Sequence, residues 1–261
     1  MSTAYKPVGW NRNKLVYDAF LLCGVVVYLL TYLKLAPLLS QSLQLVDAPI
    51  LRMRAFGSLA FLLLTIILAI GPLARLDTRF LPLLYNRRHF GVMTAIVAAT
   101  HAMFVLDWYF SFSSVPKLTA LFTSNTSVGS IIGFPFELFG VFALLILIVL
   151  AATSHDFWLF FLSPPIWKAI HMSVYVAYAA VVLHVGLAVL ADTQNGLKAV
   201  LVGASLALLS ALHLFAGRKE QAIDVAGSPV APDTGWIDVG QIGDLAEGRA
   251  IIGVLPGGER V

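Results

Sequence analysis

The stretch IHMSVYVAYAAVVLHVG, residues 170–186, decides the fold class. Apart from one serine and two tyrosines, its only polar side chains are His171 and His184. The apolar run around it is long enough to cross a hydrocarbon core, which takes about 20 residues at about 1.5 Å each. The rest of the chain agrees. Of 261 residues, 59% are hydrophobic and 12% charged, with a mean hydropathy of +0.87. Soluble domains carry roughly 25% charged residues, so a water-soluble globule of this length would lack polar surface. The chain reads as a membrane protein in contact with the lipid bilayer. A net charge of +3 is too small to imply a nucleic-acid partner. The single cysteine, Cys23, excludes an intrachain disulfide and a paired-cysteine metal site.

Six apolar runs reach spanning length: residues 15–38, 55–76, 89–112, 131–153, 166–191 and 197–217. The expected fold is therefore an all-α integral membrane protein, a six-helix transmembrane bundle over 15–217. Pro37, Pro72, Pro164 and Pro165 fall at or beyond helix ends, and Pro135 in the first turn of the fourth run, where proline does least damage. No internal repeat shows beyond shared apolar character. Residues 1–14 are polar, unlike a cleaved leader, so the first helix is expected to stay. Under six spans, ten Lys and Arg residues fall on the N-terminal side (Lys6, Arg12, Lys14, Arg75, Arg79, Arg87, Arg88, Lys168, Arg218, Lys219). Five fall opposite, at Lys34, Arg52, Arg54, Lys117 and Lys198. Positive charge favours the cytoplasm. Both termini are expected there, in a multi-pass protein of the inner (plasma) membrane.

His89 opens the third run and His101 lies twelve residues deeper; His171 lies near the start of the fifth and His184 thirteen deeper. Both helices start on one side, so at about 1.5 Å per residue the pairs sit about 18 Å and 20 Å apart. His89 then matches His171 in depth, and His101 matches His184. Two helices offering matched histidine pairs is what two stacked bis-histidine haems require. Ala98, Ala180 and Ala188, one turn from the deeper histidines, would leave room for a macrocycle. Thirteen residues at about 100° each leave two side chains about 140° apart, so spacing alone does not put His171 and His184 on one face. The competing reading is that each imidazole hydrogen-bonds a neighbouring helix. His155 reads as a solvated loop residue, Glu137 as an outer-rim acid, and His213 as a structural residue, a quinone contact or a spare ligand.

Several motifs carry a family resemblance. The third run, NRRHFGVMTAIVAATHAMFVLDWY, holds Arg87-Arg88-x-x-Gly91 and then His101. The loop Thr153-Ser154-x-Asp156 precedes Trp167-x-x-x-His171-x-x-x-Tyr175 and His184. The second run, RAFGSLAFLLLTIILAIGPLARL, fits the same pattern. Residues 50–217 resemble the ferric reductase-like transmembrane family. That family includes eukaryotic ferric reductases, the NADPH oxidases and the membrane haem subunit of the bacterial periplasmic methionine sulfoxide reductase system. The resemblance implies an oxidoreductase component with one or two b-type haems. His101, His171 and His184 are the implied iron ligands, and His89 is the fourth candidate. Electrons would pass from a cytoplasmic-side donor, an iron–sulfur or flavin protein or a quinol, to an acceptor on the outer side. Arg87, Arg88 and Lys168 lie where haem propionates would meet positive charge.

Beyond Gly217 the composition changes. Residues 218–234 read as a polar linker, and 235–261 as alternating β structure with a turn at PGGE. The tail is similar to the opening of a Rieske-type domain but lacks the Cys-x-His and Cys-x-x-His ligands, so no 2Fe–2S cluster is expected in this chain. The half-hairpin suggests a truncated β domain. Two alternatives stay open: a quinol-linked haem subunit feeding a periplasmic reductase, and a helical scaffold or transporter without haem.

Overall fold

The computed structural model describes residues 11–39, 41–110, 114–191 and 196–226. The β tail expected at 235–261 lies outside the described residues. Six principal helices follow in order: α1 (Arg12–Leu39), α2 (Ala48–Leu76), α3 (Arg87–Phe110), α4 (Glu137–Ala152), α5 (Pro164–Leu190) and α6 (Gly196–Ala226). All but α4 are long and apolar enough to cross a membrane. The protein is an all-helical, multi-pass membrane protein over these residues.

Three boundaries differ from expectation, each for a local reason. The helix α2 starts at Ala48, with Pro49 in its first turn, so Arg52 and Arg54 are helical rather than in a loop. Proline there has no partnered N–H to lose. The helix α4 starts at Glu137 rather than near 131, because Gly133 takes φ +80° and Pro135 follows. Its 16 residues span about 24 Å, short of the roughly 30 Å core, so among the described residues five helices rather than six reach spanning length. The helix α6 runs on to Ala226, into the stretch read as a linker. There Lys219 Nζ donates to the Arg75 and Leu76 carbonyls (2.9 and 2.8 Å), and Glu220 pairs with Arg75 at 3.4 Å. An ammonium on the last carbonyls of α2 satisfies orphan acceptors and opposes the helix dipole.

Packing alternates up and down. The pairs α2–α3 and α4–α5 are the most closely packed, α3 also packs on α4, and α6 bridges α2 and α5. The helices α3 and α5 thus lie across the bundle from one another. Leu64, Ala95, Ala143, Leu147, Ala177 and Leu209 meet in one core cluster, while Leu59, Leu63, Ile70, Phe90 and Val97 meet Val25 of α1 in a second. Phe20, Leu30, Met103, Leu145 and Leu201 face outward, as lipid solvent requires. Among the described residues the ion pairs lie towards helix ends: Arg75–Glu220, Arg79–Asp77, His89–Asp18 and Lys117–Asp107. In the turn after α2, the side chain and backbone N–H of Arg79 hold the Asp77 carboxyl below the usual carboxylate range.

The two ends of the bundle are recognisable from their contacts. At one end the start of α1 meets the turn before α3, since Tyr17 donates to the Leu83 carbonyl and Asn11 bonds Tyr85. The end of α4 meets the start of α5 there, where Trp167 Nε1 donates to the Thr153 carbonyl at 3.0 Å. At the other end the start of α2 meets α3, with the Arg52 guanidinium 6.0 Å over the Phe104 ring.

Candidate functional site

Across the bundle, His101 on α3 and His184 on α5 are set by the same device. The Nδ1 of His101 lies 3.0 Å from the Met53 carbonyl oxygen of α2. The Nδ1 of His184 lies 3.0 Å from the Phe136 carbonyl oxygen, at the residue preceding α4. A carbonyl can only accept, so in both rings Nδ1 carries the proton and Nε2 keeps its lone pair. Among the described residues neither Nε2 makes a hydrogen bond. The backbone thereby fixes the tautomer that a metal-ligating imidazole needs.

Each ring also rests on a glycine. A methyl at Gly57 would stand 2.8 Å from His101 Cε1 and 2.9 Å from its Nδ1. A methyl at Gly140 would stand 2.8 Å from His184 Nδ1 and 2.9 Å from its Cε1. No side chain fits in either place, so each ring is held flush against the neighbouring helix backbone. Beside His184, one carboxylate oxygen of Glu137 takes the Asn125 amide, and the other is buried with no partner among the described residues. Glu137 is thus a half-satisfied acid that opens α4, next in the chain to the Phe136 carbonyl that holds that imidazole. Ala180, expected to make room beside His184, is instead packed in the core, and Ala98 packs against it.

The shallower histidines are placed differently. The Nδ1 of His89 lies 2.7 Å from Asp18 of α1, whose other oxygen accepts the Asn86 amide at 2.6 Å. His171 stacks on Trp167, with ring centroids 3.9 Å apart, and its Nε2 faces the Thr153 hydroxyl at 3.3 Å. The Arg88 guanidinium lies 5.4 Å over the same Trp167 ring. His89, Arg87, Arg88, His155 and Trp167 line a cleft of about 930 Å³ with apolar walls from Val92, Met93 and Ile96. His171 is not among its lining residues. A turn at Ser173 divides the helix between His171 and His184, so the ideal-helix angle between them does not apply. His155 caps the short helix Asp156–Phe161, its Nδ1 accepting from the Phe157 N–H at 3.1 Å. His213 has both nitrogens engaged: Nδ1 donates to the Leu209 carbonyl of its own helix, and Nε2 accepts from the Tyr175 hydroxyl at 3.0 Å.

This arrangement tests the haem expectation. Two imidazoles on opposite helices, each with its Nδ1 proton on a carbonyl and its Nε2 unclaimed, fit axial ligation of one haem. Among the described residues no cluster of three or more potential metal ligands occurs. The shallower pair fits less directly, because the His171 Nε2 is engaged by Thr153.

A family model for the ferric reductase like transmembrane component matches residues 56–182. Residues 56–182 form a ferric reductase-like transmembrane domain. No curated protein and no solved structure matches the chain. The ferric reductase-like domain takes in Gly57, His89, His101, Gly140 and His171, and ends two residues before His184. Met53, whose carbonyl orients His101, lies just ahead of it. Sequence reasoning picked out the histidines of this domain but missed the carbonyls of Met53 and Phe136, the two glycines, and Asp18. One signal was available: Gly57 precedes His101 by 44 residues, and Gly140 precedes His184 by the same 44.

Proposed function

We propose that this protein carries electrons across the membrane through b-type haem, with His101 and His184 as the axial ligands of the haem nearer the outer side. One observation carries the reading: the matched Nδ1–carbonyl bonds of His101 and His184, which leave both Nε2 lone pairs unclaimed across the bundle. When bound, such a haem supplies a one-electron carrier whose potential is set by its ligands and their surroundings. The chain's part is to hold the imidazoles in one tautomer, to wall off water with Leu64, Leu147 and their neighbours, and to keep Glu137 beside His184.

For an inner haem we propose His171 and His89 as the candidate pair, with Arg87, Arg88 and Lys168 on the side where propionates emerge. The Asp18 carboxylate on His89 Nδ1 supports His89, since carboxylate–histidine pairs raise ligand basicity. The Thr153 contact means that His171 must turn to ligate. The basic residues at this end support a cytoplasmic position for it. The donor would approach there, and the acceptor at the opposite end. A quinol donor is the second reading. The cleft at the cytoplasmic end supports it, because it joins apolar walls to the hydrogen-bonded Asp18–His89 pair.

The test is an optical spectrum of the purified protein, oxidised and reduced. A reduced low-spin b-type α-band is expected, and its absence would leave a helical scaffold or transporter as the reading. Reduction by a quinol analogue, set against reduction by an iron–sulfur or flavin protein, separates the two donors.

A further inference from the structure

The two well-formed histidine sites are copies of one another. A shift of 83 residues carries Met53 onto Phe136, Gly57 onto Gly140, and His101 onto His184. The same carbonyl-to-Nδ1 bond spans 48 residues in each copy, at 3.0 Å in each. Burial follows the same shift. Residues 94, 95 and 97 of α3 are buried with Ile96 exposed, and residues 177, 178 and 180 of α5 are buried with Ala179 exposed. The hairpins α2–α3 and α4–α5 are also the two closest-packed pairs, and both run in the same up-down sense. The two hairpins thus read as a parallel repeat, both running the same way through the bundle. The relation stops at the shallow end, where the shift carries Arg88, not His89, onto His171.

We infer that Gly57 and Gly140 are repeat-related positioning residues that set the tilt of the two axial imidazoles. The inference rests on the haem reading of His101 and His184. In each hairpin the glycine stands four residues after the accepting carbonyl, one helical turn along, so carbonyl and bare Cα lie on one face of the helix. The carbonyl fixes one edge of the ring, and the backbone at the glycine stops its face. With Nε2 on iron and Nδ1 on the carbonyl, the ring has no freedom left to escape a methyl at 2.8 Å. An alanine must therefore rotate the ring or push it out by several tenths of an ångström. Either change alters the overlap of the imidazole with the metal. Glycine is otherwise a poor choice inside a helix, so alanine should favour both backbones, and its cost should appear at the ring.

The experiment compares Gly57→Ala and Gly140→Ala with wild type, with Gly24→Ala and Gly203→Ala as controls. At both control positions nothing lies within 4 Å of an added Cβ. The readouts are haem per chain and the low-spin electron paramagnetic resonance spectrum of the oxidised protein. Both test variants should lose at least half of the outer haem or shift its largest g value, and the controls should match wild type. Should one test variant fail to accumulate in the membrane, the other carries the same test. Wild-type spectra and haem content in both glycine variants would overturn the assignment. A wild type that binds no haem, or full haem in His101→Leu and His184→Leu, would instead overturn the functional reading beneath it. Equal losses in the controls would show a general packing effect and overturn the positioning role.

Discussion

Replacing His184 with leucine tests the site most directly. Leucine is close to histidine in bulk but offers neither a lone pair for iron nor a proton for the Phe136 carbonyl. The carbonyl, 3.0 Å from Nδ1 in the native arrangement, then loses its donor at a cost of about 1–3 kcal/mol. That is a fraction of a typical folding free energy of roughly 5–15 kcal/mol, so the protein should still accumulate. Its haem should not survive, because one axial ligand is gone. Haem per chain should fall by one, measured by pyridine haemochrome against protein concentration. The repeat makes a stricter demand, that His101→Leu lose the same haem to the same extent through the Met53 carbonyl. His213→Leu is the control. Both nitrogens of His213 already have partners in Leu209 and Tyr175, so haem content should not change. Full haem in both His101→Leu and His184→Leu, or an equal loss in His213→Leu, would refute the assignment.

Three further outcomes are expected. His171→Leu should remove an inner haem while sparing the outer one, and His89→Leu should do the same if His89 is the fourth ligand; unchanged stoichiometry in His89→Leu would leave that residue to its Asp18 partner alone. Reporter fusions after Lys219 should be active only in the cytoplasm, and a periplasmic signal would exchange the inner and outer labels. Lys219→Met should cost about 0.3–1 kcal/mol, the usual worth of a cation at a helix C-terminus, read as a lower thermal midpoint in detergent; an unchanged midpoint would mean that the contacts with Arg75 and Leu76 do not stabilise the fold.

The membrane class and the helical architecture were legible in the sequence because lipid acts on every residue of a span alike. Twenty apolar residues read as a helix whatever lies beside them. The histidines stood out for the same reason, since imidazole within such a run is costly. Boundaries were less legible. Gly133 and Pro135 delay α4 until Glu137, and a turn at Ser173 interrupts α5, both local events inside runs whose hydropathy is continuous.

The sequence alone determined that this chain crosses the membrane as helices, and that His101 and His184 sit deep in two of them. Only the tertiary structure decided what those imidazoles can do. An imidazole can lose its proton from either nitrogen, and nothing within its own helix selects one. The choice is made by carbonyls 48 residues away, at Met53 and Phe136, and by the bare backbone at Gly57 and Gly140. The carbonyls are backbone atoms, so residue type gives them no signature, and the glycines show only in their shared 44-residue spacing to the histidines. They become visible when packing brings α2 onto α3 and α4 onto α5.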